Sequence, residues 1–548
     1  MPKTRPGLGP ATAASMTPSR GWGKDTWQAR AVAVLVAATL VAAIAVRVYD
    51  LGGKDLWIDE ANGVVLAKTG VGGLLDGLKR DSSPPLYYLL LAGWMKVFGD
   101  GEAAVRTLSV IPGVLTVGAL FAIGRRLFGT QTGLLAAVLA AVAPTHVFYC
   151  QQARMYSLLG LLGLLSSYWL WRAIEDGPGR FYVAYVLATL GALYTHNFAL
   201  HLLPVHALII LASGALRRAP WRWTACGAAI LAGYLPWLPT FLMQLGNREQ
   251  YVWFATLTQR FGSSRIPLST LRSFSPGDPQ PFFLFAREQH TFWTPVYLCA
   301  LAAAAGLAQA WQRGPHGLKV NPRGLWLACA TVLPFVCAAL TSVISVPNWV
   351  PGRVDQLVYP CFALLVARGL AGLHWRKAAV ASALLRYCLL VVFCVYSCAG
   401  LAHLYGNQLA SADRAMAQII ARAARAGDAV LCTGLTRAPL QYYLGRLAVP
   451  VKLFSYPREM ALHMASQDQA AWAEQPDRLE EEIRAVEQEI AAACGPQSQL
   501  FAVIAATQPN QPLAAYLMEQ YGGRVEDLGV FRLSGTNTNV YLWLRRAE

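Results

Sequence analysis

The chain has 548 residues, 55% of them hydrophobic and only 14% charged, with a mean hydropathy of +0.37. These values exclude a chain folded wholly in water and indicate one large membrane domain with a more polar tail. The formal net charge of +16 would suggest nucleic acid in a soluble protein. Here the basic residues cluster in short loops between apolar runs, so the excess reflects orientation in a membrane, and no nucleic-acid partner is expected.

Residues 1–24 are rich in Pro, Gly, Ser and basic side chains and read as a disordered cytoplasmic leader. The run that follows, Ala31–Val46, lacks a small-residue cleavage site and is expected to persist as a first helix. Further runs able to cross about 30 Å of hydrocarbon are expected at Ala104–Ile123, Leu134–Val147, Ala153–Trp171, Phe181–Thr195, Phe198–Ala212, Trp223–Met243, Trp293–Trp311, Leu325–Ser345, Leu357–Leu373 and Ala378–Leu401. That makes about eleven spanning helices in an all-α polytopic bundle covering residues 25–405.

Between the first two runs lies one long loop, residues 50–101. Ala61–Lys68 and Gly72–Lys79 are expected there as short surface helices. The segment Pro84-Pro85-Leu86-Tyr87-Tyr88-Leu89-Leu90-Leu91 is short and opens on two prolines, so it reads as interfacial or re-entrant. Arg125-Arg126, Arg172 with Arg180, Arg217-Arg218-Arg222, Arg313 with Lys319 and Arg323, and Arg376-Lys377 occupy alternate loops. The positive-inside rule assigns these loops to the cytoplasm and every unusual polar motif to the outer face.

After Leu401 the pattern changes. Ser411–Ala426 is amphipathic, Leu440–Leu444 suits a helix, and Trp472–Ala493 is an acidic helix read as a solvated face. Ala429–Thr433, Val449–Phe454, Leu500–Ala505, Gly529–Leu533 and Val540–Leu544 alternate like strands. Residues 406–548 therefore form a small soluble α/β domain, expected on the outer side. Most of the 11 cysteines lie in apolar runs without metal-binding spacing, and a Cys432–Cys494 pairing stays open.

Four motifs carry the chemistry: Trp57-Ile58-Asp59-Glu60-Ala61, Ser83-Pro84-Pro85-Leu86-Tyr87-Tyr88, Gln152-Ala153-Arg154-Met155-Tyr156-Ser157 and Leu193-Tyr194-Thr195-His196. Their order and spacing resemble the C-type (GT-C) glycosyltransferases. Within these, the chain is similar to the bacterial protein O-mannosyltransferase-like membrane proteins related to the lipid A aminoarabinose transferase. The resemblance covers about Asp25 to Leu401 and the tail loosely. It implies a GT-C bundle in the bacterial cytoplasmic membrane and a polyprenyl-phosphate-linked sugar as donor. It also implies inverting transfer to an acceptor glycan, lipid or protein at the outer surface.

Under that resemblance Asp59 aligns with the acidic residue of the first loop and would be the base that deprotonates the acceptor. Glu60 is the second catalytic candidate, or fixes the loop, or shares a divalent cation with Asp59. Adjacent helical side chains diverge by about 100°, so one of the two should face the cavity. Arg154 and Arg353 are candidates for the donor phosphate, which guanidinium binds in bidentate fashion. Arg154 also suits an interfacial helix end. His196 would bind substrate or bridge a helix turn, and Tyr87 and Tyr88 would stack on sugar or anchor their segment. Ser83 stands where relatives often carry His or Lys, and Gln152 where they often carry a carboxylate. Both substitutions remove charge, which weakens the case for a metal. A lipid-linked sugar transporter and a catalytically silent binding protein remain as alternatives.

Overall fold

A backbone in hydrocarbon must pair its own N–H and C=O groups, so the apolar runs of this chain form helices. The computed structural model describes residues 22–81, 83–246, 266–276, 293–314, 317–344, 349–374, 378–406, 412–458, 476–495, 497–506, 510–532 and 538–546. Most of the expected leader lies outside these residues, and its last three positions already belong to helix α1 (Trp22–Val48). The long loop contains α2 (Ile58–Ala67), α3 (Gly70–Leu78) and α4 (Leu86–Phe98). Next come α5 (Glu102–Phe128), α6 (Thr130–Val142), α7 (Pro144–Cys150), α8 (Tyr156–Asp176) and α9 (Gly179–Leu193).

Each of the eleven expected runs coincides with a helix or a bent helix pair. Five helices among the described residues are long and apolar enough to cross a membrane: Trp27–Val48, Glu102–Phe128, Tyr156–Glu175, Pro322–Ile344 and Ala379–Gly406. Two helix pairs pass the same test together but are bent, as in a broken span or a re-entrant loop: α6 with α7 by 63° and Pro220–Tyr234 with Leu238–Gly246 by 67°. Shorter apolar helices occupy α4, α9, Asn197–Ala212, Trp293–Ala308 and Tyr359–Ala371. The protein is a polytopic membrane protein. The Pro-Pro segment differs in length from its reading. Proline is tolerated just before and inside a first turn, so Pro85 caps α4 and the helix runs on to Phe98.

Two ends of the bundle can be told apart. Arg323 pairs with Glu175 and donates to the carbonyl of Leu127, Arg222 donates to Gly177, and Arg368 stacks on Phe128. The described basic loops therefore gather at one end. At the other, Arg106 near the start of α5 meets the long loop. The 27 residues of α5 separate the two ends by about 40 Å.

At the centre lies Tyr359–Ala371, in which every residue up to Leu370 is buried. Glycine makes its packing possible. A Cβ on Gly369 would collide with the carbonyl oxygen of Ala302, and one on Gly306 with that of Leu365. Close backbone approach through small residues is the usual adhesive between helices where the hydrophobic effect is absent.

The C-terminal module carries a five-stranded sheet. After a hairpin within the bundle, β1 (Trp311–Gly314) and β2 (Gly317–Val320), the sheet strands are β3 (Ala429–Thr433), β4 (Lys452–Tyr456), β5 (Leu500–Ala505), β6 (Val525–Arg532) and β7 (Asn539–Arg545). Their order is β4-β3-β5-β7-β6, with β3 parallel to β4 and β5 and β7 antiparallel to β5 and β6. Pairing of β4 starts at Lys452, three residues later than expected, because Pro450 has no N–H to give and its carbonyl instead receives the N–H of Gly427. Strand β6 starts four residues early, at Val525, through an irregularity between Asp527 and Gly529. Residue 533, its expected end, lies outside the described residues. The acidic helix is Pro476–Ala493. Leu479, Ile483, Val486 and Ile490 bury its inner face, while Arg484 and Glu480 are exposed.

The sheet closes the cysteine question. Val430 and Cys432 face the core shared with the bundle, whereas Ala429 and Leu431 face the core that includes Cys494. Alternation along β3 thus puts the two thiols on opposite faces of the sheet, and both are free.

Candidate active site

Residues 51–60 are shaped by one buried arginine. Arg106 spends all five guanidinium N–H groups on this stretch. It donates to the carbonyls of Leu51, Lys54 and Asp55 at 2.8–2.9 Å and to both carboxylate oxygens of Glu60 at 2.9 and 2.7 Å. Glu60 is 1% exposed and also accepts from the backbone N–H of Ala153 at 2.7 Å and of Trp57 at 3.2 Å. The last contact closes the first turn of α2. Glu60 thereby locks the first motif to the third. Its oxygens are taken up by four donors, an arrangement that matches the loop-fixing alternative for Glu60.

Asp59 turns elsewhere, as its helical neighbourhood requires. Its Oδ2 accepts from Arg353 Nη2 at 2.6 Å, and the two side chains are 20% and 10% exposed. Arg353 also donates to the hydroxyl of Tyr156 and lies 5.9 Å from the ring of Trp57 and 5.4 Å from that of Tyr156. Partners far apart in sequence are thus joined: first loop, start of α8, and the turn before Tyr359–Ala371. Each of the two adjacent carboxylates is thus taken up by its own arginine, Asp59 by Arg353 and Glu60 by Arg106. Among the described residues no group of three or more His, Cys, Asp or Glu side chains gathers as a metal site.

Arg154 sits beside this pair. It is 6% exposed, and Nη1 donates to the carbonyl of Asp59 at 3.2 Å and to the hydroxyl of Tyr88 at 2.9 Å. Both acceptors are neutral. Its buried Nε–H meets no acceptor among the described residues. A guanidinium held this way keeps donors for an anion. Tyr88 is buried and receives Arg154, and Tyr87 is tied to Ser109 at 2.8 Å. Ser109 in turn donates to the carbonyl of Arg154 at 2.9 Å, so the tyrosines hold Arg154 in place. Ser83 is buried and reaches the carboxylate of Asp81 at 3.4 Å and the Tyr88 hydroxyl. Gln152 is 9% exposed, and its Oε1 has no partner among the described residues.

His196 lies within reach of the two arginines. Burial, then the charges of Arg353 and Arg154, push its pKa down to about 3. Its Nδ1 accepts the N–H of Phe198 at 3.0 Å, capping the short helix Asn197–His201. That bond puts the proton of the neutral ring on Nε2. The ring can offer a hydrogen bond but is not an imidazolium at neutral pH. Both readings of His196, turn bridge and substrate donor, fit one geometry.

Three participants were not singled out from the sequence. Arg106 carries a signal, since a cation four residues into an apolar helix needs a partner, but the sequence does not say that the partner is Glu60 and not the nearer Glu102. Tyr156 lies inside the third motif, where its residue type alone assigns no role. Asp355 lay unremarked after Arg353. Its Oδ2 accepts from Gly352 N at 2.9 Å and Thr270 Oγ1 at 2.8 Å, which ties the Arg353 turn to the helix Ile266–Phe274. Burial pushes its carboxyl up to about 7.

A family model described as dolichyl-phosphate-mannose-protein mannosyltransferase matches residues 82–239. That range holds Ser83, Tyr87, Tyr88, Arg106, Gln152, Arg154 and His196. ArnT from Cupriavidus metallidurans, solved bound to undecaprenyl phosphate, is similar with a TM-score of 0.55 at 14% identity, over 93% of this chain and 97% of that one. The chain has the GT-C fold. A GT-C oligosaccharyltransferase from Archaeoglobus fulgidus, tethered with an acceptor peptide containing the NVT sequon, gives 0.54 at 11% identity, over 89% and 70%. The oligosaccharyltransferase AglB from Archaeoglobus fulgidus, in complex with an inhibitory peptide and a dolichol-phosphate, gives a TM-score of 0.50 at 12% identity, over 95% and 74%. No curated protein matches the chain. The resemblance to GT-C membrane glycosyltransferases drawn from the four motifs is borne out.

Proposed function

We propose that this GT-C protein is an inverting glycosyltransferase that moves a sugar from a polyprenyl-phosphate donor to an acceptor at the outer face of a bacterial cytoplasmic membrane. The observation that carries the reading is the joint presentation of the Asp59 carboxylate, Arg353 and a partly unpaired Arg154 at one end of the bundle. The structural neighbours solved with undecaprenyl phosphate and dolichol-phosphate support a lipid-linked donor.

In this reading the donor phosphate lies on Arg154 and Arg353. Asp59 Oδ2 stays with Arg353, and Oδ1 takes the proton of the acceptor hydroxyl. The acceptor oxygen attacks the anomeric carbon from the face opposite the phosphate. The bond from that carbon to the phosphate oxygen breaks, and its electron pair leaves with polyprenyl phosphate. The leaving group gains negative charge in this step, so the arginines bind it more strongly in the transition state than in the ground state. The neutral Nε2–H of His196 and the unpaired Oε1 of Gln152 are available to sugar hydroxyls. Asp59 and Glu60 are each engaged by an arginine, which supports a reaction without a divalent cation. A transporter needs access from both faces, while these polar groups lie at one end, which supports transfer over transport.

The test is transfer by purified protein in nanodiscs from a panel of labelled polyprenyl-phosphate sugars, with and without chelator. Transfer that Asp59→Asn abolishes and EDTA leaves intact supports the reading. Tight donor retention without transfer would favour the silent binding protein that the charge loss at Gln152 and Ser83 suggests.

A further inference from the structure

We propose that the C-terminal module is a clamp on the candidate catalytic loop, with Arg414 and Tyr443 as its positioning residues. The inference rests on the reading of Asp59 given above.

The contacts fall on the two ends of the long loop. At its start, Arg414 donates from Nε to Asp55 Oδ1 at 3.1 Å and from its backbone N–H to Asp55 Oδ2 at 3.0 Å. Tyr443, 3% exposed, accepts the N–H of Leu56 at 2.8 Å. At the loop's end, Arg414 Nη2 and Arg446 Nη1 hold the two oxygens of Glu102, each at 2.9 Å. Tyr442 donates to the carbonyl of Asp100 at 2.8 Å, and Lys68 pairs with the Asp100 carboxylate. Arg414 thus joins both ends through one side chain. It comes from helix Asp413–Ala423, and the tyrosines from helix Arg437–Arg446.

The position of these contacts gives them a role beyond attachment. Arg106 grips the carbonyls of Leu51, Lys54 and Asp55 from the bundle. Arg414 and Tyr443 grip the Asp55 carboxylate and the Leu56 amide from the module. Leu56 itself is fully buried. The next residue, Trp57, lies against Arg353, and Asp59 follows two positions later on the first turn of α2. The segment is held on two sides immediately before the residue proposed as base. The Asp55 and Glu102 side chains are 9% and 14% exposed and that of Arg414 36%, so salt screens these pairs less than fully exposed ones.

The test uses full-length protein in nanodiscs and compares Arg414→Ala, Arg414→Lys and Tyr443→Phe with wild type. Arg458→Ala serves as control, since it removes an exposed pair with Glu482 elsewhere in the module. Hydrogen exchange over residues 51–60 should quicken by about tenfold in Arg414→Ala, the loss of roughly one charge-assisted contact. Turnover should fall by about ten- to a hundredfold, as misplacement of a reacting group costs, with donor KM moving less than kcat. Arg414→Lys should recover part of both, and Arg458→Ala should change neither. Tyr443→Phe removes a single hydroxyl and keeps the test sharp if Arg414→Ala fails to fold. Unchanged exchange over 51–60 in both variants, or faster exchange with wild-type turnover, overturns the clamp. If wild type transfers sugar from no polyprenyl donor, the reading of Asp59 falls, and exchange alone decides whether the module holds the loop.

Discussion

Asp59 and Glu60 are adjacent yet bonded to different arginines, and substitution should separate them. Asp59→Asn keeps an oxygen for Arg353 but removes the proposed base, so turnover should drop by about 10²- to 10⁴-fold with the melting temperature little changed. Glu60→Gln leaves Arg106 charged, buried and short of its carboxylate. Breaking a buried pair from one side costs about 3–5 kcal/mol, so this change should register first in thermal unfolding. Full turnover in Asp59→Asn, or wild-type stability in Glu60→Gln, would reverse these assignments. His196 gives a pH test. Its folded pKa is held down at about 3, below the unfolded value of about 6.5. The unfolded chain therefore binds the extra proton between those values. Relative to His196→Asn, whose side chain can still cap Phe198, wild-type stability should be level above about pH 6.5 and decline from there toward pH 3. Any acid limb of turnover between about pH 5 and 7 should survive in the variant. A limb that vanishes would show His196 titrating during catalysis.

Among the helices, the central segment Tyr359–Ala371 has the least freedom. Gly369→Ala should lower unfolding stability by about 1–3 kcal/mol, since overpacking here forces backbones apart. A change at an exposed position, such as Val183→Ala on α9, should cost much less; equal melting temperatures would mean that the glycine contact is loose. At this scale the sequence was most readable. Hydropathy located all eleven runs because a membrane permits few alternatives to an apolar helix. Strand ends were less legible, since pairing partners decide them: Pro450 delays β4 and the irregularity at Asp527 extends β6. The site was legible by motif but not by connection. Asp59, Arg154 and Arg353 could be named singly, whereas the Asp59–Arg353 and Glu60–Arg106 bonds depend on how the ends of α5, α8 and the 349–357 turn meet. No local pattern encodes that meeting.

For the whole molecule, the separation of basic loops from polar motifs sets an orientation. In intact cells of the host, an impermeant thiol reagent should label a cysteine placed at Asp76, which is exposed on α3 at the site end. It should label one at Arg218 only after permeabilisation, because that residue is exposed at the basic end. Labelling in the opposite sense would place the site on the cytoplasmic side and remove the extracytoplasmic acceptor from the reading.

The burial of Tyr359–Ala371 also has a consequence for biosynthesis. This helix sits deepest in the bundle, yet it emerges from the ribosome after most of the helices it packs against. Helices α5, α6 and α8 must enter the bilayer before their common partner exists, with the faces that will meet it turned to lipid or to insertion factors in the meantime. Arg353 arrives just ahead of that helix, so the Asp59 pair cannot form earlier. A nascent chain halted anywhere before residue 353 would therefore be an unclosed bundle without the Asp59–Arg353 pair, and should be open to membrane proteolysis.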